Sequence, residues 1–293
     1  MKSQKVSVII TTHNRKNLLV KAIDSAISQT YKDMEIIVLD DASIDGTFEV
    51  VLELSKKYNN VVAIRNDHTL GFVDNLNKGV NLAKGYYVAI LNDDDIWADN
   101  QKLQKQVNFL EENPDYVLTG GGVIKINKSG KEMVRFLLPE KDEEIRSIIL
   151  VSNMFVLSNV VFRKKEFLEA GQFKNRFGFF SDRALWLEMG KLGKFYNFPY
   201  FFSYYLDQEY DQKRSARDYE IRRKIFKRIK FTNEYKQYYK GFSKALLIDI
   251  LSYAYSFIPF RRNLNPLLLR LREIILGRSP YNYYDSNNKK IKL

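Results

Sequence analysis

Apolar and polar positions alternate in blocks along the first hundred residues. Lys5–Ile10 (KVSVII) is apolar and β-branched, the pattern of a strand buried on both faces. Lys16–Gln29 (KNLLVKAIDSAISQ) then places Leu18, Leu19, Ala22, Ile23, Ala26 and Ile27 on one helical face. Residues 34–41 (MEIIVLDD) read as a second buried strand that ends in Asp40 and Asp41. A helix opens within 43–58 (SIDGTFEVVLELSKKY), with Asp45 as its candidate cap. A third strand follows at 61–65 (VVAIR), then a helix over 71–85 ending at Gly85. The fourth strand, 86–92 (YYVAILN), delivers three consecutive carboxylates, Asp93, Asp94 and Asp95.

Strands alternating with helices predict βαβ units and an α/β fold with a mostly parallel sheet. In such sheets ligands bind beyond the carboxyl ends of the strands. Three strands release polar groups there: Thr11, Thr12 and His13 after the first, Asp40 and Asp41 after the second, Asp93 to Asp95 after the fourth. The pattern loosens later. Residues 116–126 (YVLTGGGVIKI) and 132–138 (EMVRFLL) predict a strand pair. Residues 159–173 (NVVFRKKEFLEAGQF) predict a strand and a short helix ending at Gly171. Residues 181–193 (SDRALWLEMGKLG) predict a helix with Ala184, Leu185, Leu187 and Leu192 available for burial.

Composition narrows the chemistry. The absence of cysteine excludes disulfides and thiolate metal sites, and two histidines, His13 and His68, argue against a histidine-rich one. The start of the sequence has no signal-peptide pattern, so a cytoplasmic location is expected. The net charge of +12 is lopsided: residues 1–213 carry 28 Lys and Arg against 29 Asp and Glu, whereas 214–293 carry 19 against 6. That shift predicts a boundary near Lys213 between a near-neutral domain (1–213) and a basic, aromatic-rich helical extension (214–293).

Clustered aspartates facing a crevice suit a hard cation, Mg²⁺ or Mn²⁺, held by one or two carboxylates with water and substrate phosphate. A solvated acidic turn is the plain alternative. The position at the end of a buried strand, beside Asp40 and Asp41, favours metal. Single residues carry plain alternatives too. His13 could pack in its loop, Asp40 could belong to a turn, and Asp182 could cap the helix it begins. Trp97 and Trp186 are expected to pack in the core. Gly120, Gly121 and Gly122 could let backbone approach a substrate.

The motifs VSVIITTHNR, AIDSAISQTYKDMEIIVLDDASIDGT, NKGVNLAKGYYVAILNDDDIW, NVVFRKKEFLEAGQF and SDRALWLEMGKLG occur in order across roughly residues 4–206. In that order the chain resembles a family 2 glycosyltransferase with the GT-A fold. The resemblance implies an inverting transfer of a sugar from a nucleotide donor, UDP by expectation, to a hydroxyl of a glycan or lipid-linked acceptor. It implies a nucleotide pocket lined by Thr11, His13, Asp40 and Asp41, with Asp41 on the uracil ring. It places Asp93 near ribose or metal, Asp94 and Asp95 on the metal, and Asp182 as the general base. Three departures stand out: Asn92 opens the DxD stretch, Ser181 rather than Glu precedes the base, and Tyr204–Asp207 (YYLD) lacks the usual Arg and His. Lys213 or Arg214 could supply that missing cation.

The extension alternates apolar and basic positions over 217–231 (RDYEIRRKIFKRIKF) and 265–276 (NPLLLRLREIIL). Between them a 16-residue apolar stretch, 245–260, is interrupted by Asp249 and Pro259, short of the ~20 residues a span requires. Basic amphipathic helices rich in Tyr and Phe suit an anionic membrane surface, and packing on the catalytic domain is the alternative. Two other functions compete. A sugar-nucleotide pyrophosphorylase would need a glycine-rich first loop, which TTHNR is not. A nucleic-acid-binding protein would use the basic tail, but the acidic rim opposes phosphate, so nucleic acid is not the expected partner.

Overall fold

A computed structural model describes residues 6–206, 227–236, 241–255, 257, 265–276 and 281–291. The alternation expected from the first hundred residues is present: β1 (Val6–Thr12), α1 (Lys16–Ile27), β2 (Met34–Asp40), α2 (Thr47–Lys57), β3 (Val61–Arg65), α3 (Phe72–Leu82) and β4 (Tyr87–Ile90). Every residue of β1, β2 and β4 is buried, which is why those segments read as unbroken apolar runs. The period-2 geometry still sorts them. Val6, Val8 and Ile10 face α1, α2 and α4 (Lys102–Glu112), while Ile9 faces α3 and the later helices.

β1, β2, β3 and β4 pair in parallel, with Thr12 opposite Asp40 and Ile9 opposite Ile90. Their carboxyl ends therefore share one edge. The short β5 (Ile96–Trp97) comes after the acidic triplet and pairs antiparallel with β9 (Lys194–Leu206). Beyond β4 the order runs β8 (Val161–Arg163), β6 (Tyr116–Ile126) and β7 (Glu132–Leu137), antiparallel at each step. The helices α5 (Asp142–Ile148), α6 (Lys164–Glu169) and α7 (Ser181–Met189) cover this half.

Several local expectations change. The helix placed over 71–85 ends at Leu82, and Gly85 lies against the backbone of Ser7, where a Cβ would meet the Ser7 nitrogen at 2.7 Å. Asp45 does not occupy the cap position, which is Gly46, but its carboxylate accepts the Thr47 N–H at 3.0 Å. Gly120, Gly121 and Gly122 face no substrate: an added Cβ would collide with Asn197, Phe202 and Leu137 respectively, so the missing side chains admit core packing. Trp97 and Trp186 are buried as expected, whereas Leu192 is exposed.

The expected boundary near Lys213, with Lys213 and Arg214, lies outside the described residues. The C-terminal segments pack on the sheet domain. Residues 227–234 are helical, followed by α8 (Phe242–Tyr255) and α9 (Asn265–Leu276). A hairpin adds to these helices: β10 (Asn282–Tyr284) pairs antiparallel with β7 and with β11 (Lys290–Ile291). Phe231, Tyr235, Ala245, Ile248 and Leu276 are buried in the same cluster as α7. Arg183 stacks on Phe180 and Phe231, 4.8 Å from each ring centroid, and its burial pulls the guanidinium down to about 10 against the pull of Asp182. Asp249 interrupts the apolar stretch for a reason: it is buried and accepts hydrogen bonds from Arg228 and from Thr232 at 2.7 Å, tying α8 to the 227–234 helix.

Candidate active site

The carboxyl edge of β1, β2 and β4 opens into a cavity of about 410 Å³ lined by Thr11, Thr12, His13, Arg15, Asp41, Phe72, Asn75, Asn92, Asp93 and Asp94. Parallel register places these groups together, because strands buried on both faces can expose polar residues only where they end. Five of the eight residues singled out in the sequence meet here: Thr11, His13, Asp41, Asp93 and Asp94.

His13 is held by its loop, with Nδ1 donating to the Asp41 carbonyl oxygen at 2.7 Å and Nε2 accepting from Asn14 at 2.9 Å. Asp41 is 5% exposed. Its Oδ1 accepts from Asn66 Nδ2 at 2.9 Å and the Leu70 N–H at 2.8 Å, and Oδ2 accepts the Gly71 N–H at 2.9 Å. Burial pushes this carboxyl up, but the donors from Leu70, Asn75, Asn66 and Gly71 outweigh it and hold the group below the usual carboxylate range. Asp41 thus fixes the loop into α3, where Gly71 takes a φ of +88°. A base N–H would share the carboxylate with these donors.

Asp40 and Asp95 are not brought to the cavity. Asp40 is fully buried; its Oδ2 accepts the Ser43 N–H at 3.1 Å and lies 3.6 Å from Arg65. It braces its own turn. Asp95 is 1% exposed, and its Oδ2 accepts from Ser158 Oγ and from Asn92 Nδ2 at 3.1 Å. Burial pushes it up to about 7, with Asp94 adding to the rise while Ser158 and Asn92 oppose it. Three adjacent aspartates cannot all face one crevice: Asp95 turns inward and pins the loop to the 157–159 turn.

Arg15, which the sequence patterns did not single out, donates to Asp93 Oδ1 at 3.0 Å and Asp94 Oδ2 at 2.8 Å. The signal was present, a cation closing TTHNR two residues after His13. Burial raises Asp93, and the guanidinium opposes that rise. Among the described residues no cluster of three or more ligand-type side chains assembles. The chain therefore offers Asp93 and Asp94, a donor set that fits Mg²⁺ or Mn²⁺ only if diphosphate and water complete the shell. Such an ion would compete with Arg15 for the same oxygens.

Asp182 lies in a second cavity of about 650 Å³ that shares Phe72 and Asn92 with the first. It stands in the first turn of α7, whose cap position is Phe180 with no side-chain hydrogen bond. Its Oδ1 accepts the Arg183 N–H at 2.6 Å and Oδ2 accepts from Asn153 Nδ2 at 2.6 Å. Burial raises its pKa above the ordinary carboxylate value, and those two donors and the Arg183 charge only partly offset it. Asn153, also missed from sequence, orients the carboxylate. Ser181 accepts the Lys174 N–H at 3.0 Å and makes no bond to Asp182.

The model of the family described as Glycosyl transferase family 2 matches residues 7–170. UDP-Glc:alpha-D-GlcNAc-diphosphoundecaprenol beta-1,3-glucosyltransferase WfaP of Escherichia coli is 37% identical over 106 residues, 36% of this chain and 41% of that protein. GalNAc(5)-diNAcBac-PP-undecaprenol beta-1,3-glucosyltransferase of Campylobacter jejuni is 34% identical over 197 residues, 66% of this chain and 62% of that protein. The chain thus spans less than two thirds of either relative. Among solved structures, residues 1–349 of S. aureus TarS superimpose with a TM-score of 0.61 at 18% identity, covering 93% of this chain and 77% of that one. The mannosyltransferase PcManGT of Pyrobaculum calidifontis, in complex with GDP-Man and Mn²⁺, does so with a TM-score of 0.60 at 14% identity, covering 93% and 86%.

Proposed function

This chain belongs to glycosyl transferase family 2 and has the GT-A fold, and on that premise we propose that it transfers a sugar, with inversion, from a UDP-sugar to a hydroxyl of a lipid-linked glycan acceptor. One observation carries the proposal: the acidic, strand-end cavity and the cavity holding Asp182 share the wall formed by Phe72 and Asn92. A donor in the first cavity and an acceptor in the second would meet across that wall. Family membership favours this over the nucleotidyltransferase and nucleic-acid readings.

The donor would rest on Thr11, His13 and Asp41, with Asp41 acting chiefly by holding the 66–71 loop. Asp93 and Asp94 would hold a divalent cation, Mg²⁺ or Mn²⁺, whose charge would stabilise the departing diphosphate. Arg15, released from the carboxylates, would be within the same cavity as a second positive charge. Asp182 would take the proton from the acceptor hydroxyl as that oxygen attacks the anomeric carbon from the face opposite the nucleotide. Its raised pKa makes it a stronger base than an ordinary aspartate. The Escherichia coli and Campylobacter jejuni relatives, whose names specify undecaprenol-linked acceptors, support a lipid-linked acceptor here. A screen of nucleotide sugars for Mn²⁺-dependent donor hydrolysis tests the proposal. Turnover of a UDP-sugar is expected; no hydrolysis or binding of any nucleotide sugar would refute it.

Such an acceptor places the work of a cytoplasmic enzyme at the inner membrane face. Among the described residues no helix is long and apolar enough to cross a bilayer. The buried side of α8 carries Ala245, Ile248 and Asp249, whereas Leu247, Ile250 and Tyr253 are exposed, as are Phe257 and, on α9, Leu271 and Ile274. Exposed apolar groups on the basic segment suit shallow insertion into an anionic surface. Because this segment also shares the core of α7, deleting it would unfold more than it tests; point changes serve better. Ile250→Asp with Ile274→Asp should lower cosedimentation with phosphatidylglycerol vesicles at low salt by about tenfold, leaving UDP affinity unchanged. Equal pelleting of this variant and wild type would remove the membrane role from these helices.

A further inference from the structure

The cavity that holds Asp182 is walled mainly by apolar side chains. Its wall is built from Phe72, Leu76, Phe136, Leu138, Phe155 and Phe173. Several of its polar side chains are already engaged within the protein. Asn153 donates to Asp182 and accepts the Phe155 N–H at 3.2 Å. Ser181 accepts from Lys174, and Asn92 donates to Asp95, which leaves Asn92 Oδ1 as an acceptor with no partner among the described residues. Against these aromatic and aliphatic side chains a sugar hydroxyl would recover few hydrogen bonds, whereas an acyl methyl or an alkyl chain would gain by burial.

One wall residue comes from far along the chain. Tyr281 lines the cavity immediately before β10, which is fixed to β7 through the register Asn282 to Leu137 and Tyr283 to Phe136. The Tyr281 ring lies edge-on to Phe136 at 5.3 Å, and its hydroxyl is 2.6 Å from Ser152 Oγ. Both contacts anchor the ring to the domain that carries Asp182. The C-terminal hairpin therefore completes the cavity as well as extending the sheet.

Resting on the transferase reading, we propose that this cavity selects acceptors bearing an apolar substituent close to the attacking hydroxyl, and that Tyr281 from the C-terminal hairpin is a specificity-determining wall of that subsite. The substituent could be carried on the sugar ring, as an N-acyl group, or on the aglycone, as an alkyl chain. Both would present apolar carbon to the wall, the acyl methyl in one case and the chain methylenes in the other. Tyr281 acts by contact area, so its ring matters and its hydroxyl serves to hold the ring in place.

The test uses the full chain saturated with UDP and calorimetric titration with three probes: methyl glucoside, methyl N-acetylglucosaminide and octyl glucoside. At least one decorated probe should bind about tenfold or more tighter than methyl glucoside. Tightening by the N-acetyl group assigns a ring substituent, and tightening by octyl alone assigns the aglycone. Tyr281→Ala should bring the difference within about threefold, Tyr281→Phe should preserve it, and Tyr281→Trp should block the decorated probe by filling the space, all with UDP affinity unchanged. Should Tyr281→Ala fail to fold, the Phe and Trp variants still decide. Equal binding of all three glycosides, no glycoside binding by a protein that binds UDP, or full discrimination in Tyr281→Trp would overturn the proposal. Failure of the wild-type chain to bind UDP at all would instead overturn the transferase reading, and this subsite with it.

Discussion

Replacing Asp182 with Asn should collapse sugar transfer by roughly two to four orders of magnitude, the usual contribution of a general base. Asn keeps the shape and still offers an oxygen to the Arg183 N–H, which now sits 2.6 Å from the carboxylate. It cannot take a proton. UDP affinity should be unchanged, because Asp182 lines the second cavity and not the first. Stability should stay close to wild type, since losing the Asn153 bond is offset by removing a partly buried charge that desolvation disfavours. The sign of the pH effect comes from the direction of the shift. Burial raises Asp182, so the proton that disables the base is gained at a higher pH than for an ordinary aspartate. The acid limb of the kcat/KM profile should therefore lie at higher pH than an ordinary aspartate would give, and it should vanish in whatever activity Asp182→Asn retains. The same raised pKa makes ionisation of Asp182 a cost to the folded state as pH rises through it, which Asn removes. A variant transferring at near the wild-type rate would show that the carboxylate serves only the first turn of α7.

The second large effect belongs to Asp94. Asp94→Ala should lower transfer by about a thousandfold, equivalent to losing about 4 kcal/mol of charge stabilisation at the leaving diphosphate. It should also weaken UDP binding when Mn²⁺ is present. In EDTA, wild type and variant should bind UDP alike, and this difference separates loss of metal from general damage. The geometry supplies the reason for choosing Asp94 over Asp95. Asp94 faces the cavity and meets Arg15 at 2.8 Å, whereas Asp95 is turned inward to Ser158 and Asn92. Asp95→Ala should accordingly act through stability. A fully active Asp94→Ala, or wild-type UDP affinity indifferent to EDTA, would contradict the assignment.

Most of the sheet was legible from sequence because strands buried on both faces demand long apolar runs, and such runs can release polar groups only at their ends. Thr11, His13, Asp41, Asp93 and Asp94 were found on that logic, and the parallel register of β1, β2 and β4 brings them to one cavity. Asp182 was singled out by motif order alone, since its position in a helical first turn fits a cap equally well. The charge imbalance marked the extension, but charge says nothing about packing. Buried Phe231 and Tyr235 and the pairing of β10 with β7 depend on contacts between segments far apart in sequence.

The sequence by itself determined the local and periodic part: which segments form strands and helices, which strand ends carry polar groups, and which family's motif order they obey. The tertiary structure alone decided which of the chemically similar side chains turn toward the cavity. Asp94 and Asp95 are neighbours in sequence, yet one meets Arg15 and the other is buried against Ser158. Lys102 shows the same limit: in a helix of mixed polarity it would be assigned to solvent, but it is fully buried, with its amine 4.3 Å above the Trp97 ring and burial holding it well below the ordinary lysine range. Periodicity fixes a residue's face on its own element. Whether that face meets water, an aromatic ring or an opposing charge depends on elements distant in sequence, and only their packing sets the dielectric and the partners that turn a carboxylate into a ligand, a base or a brace.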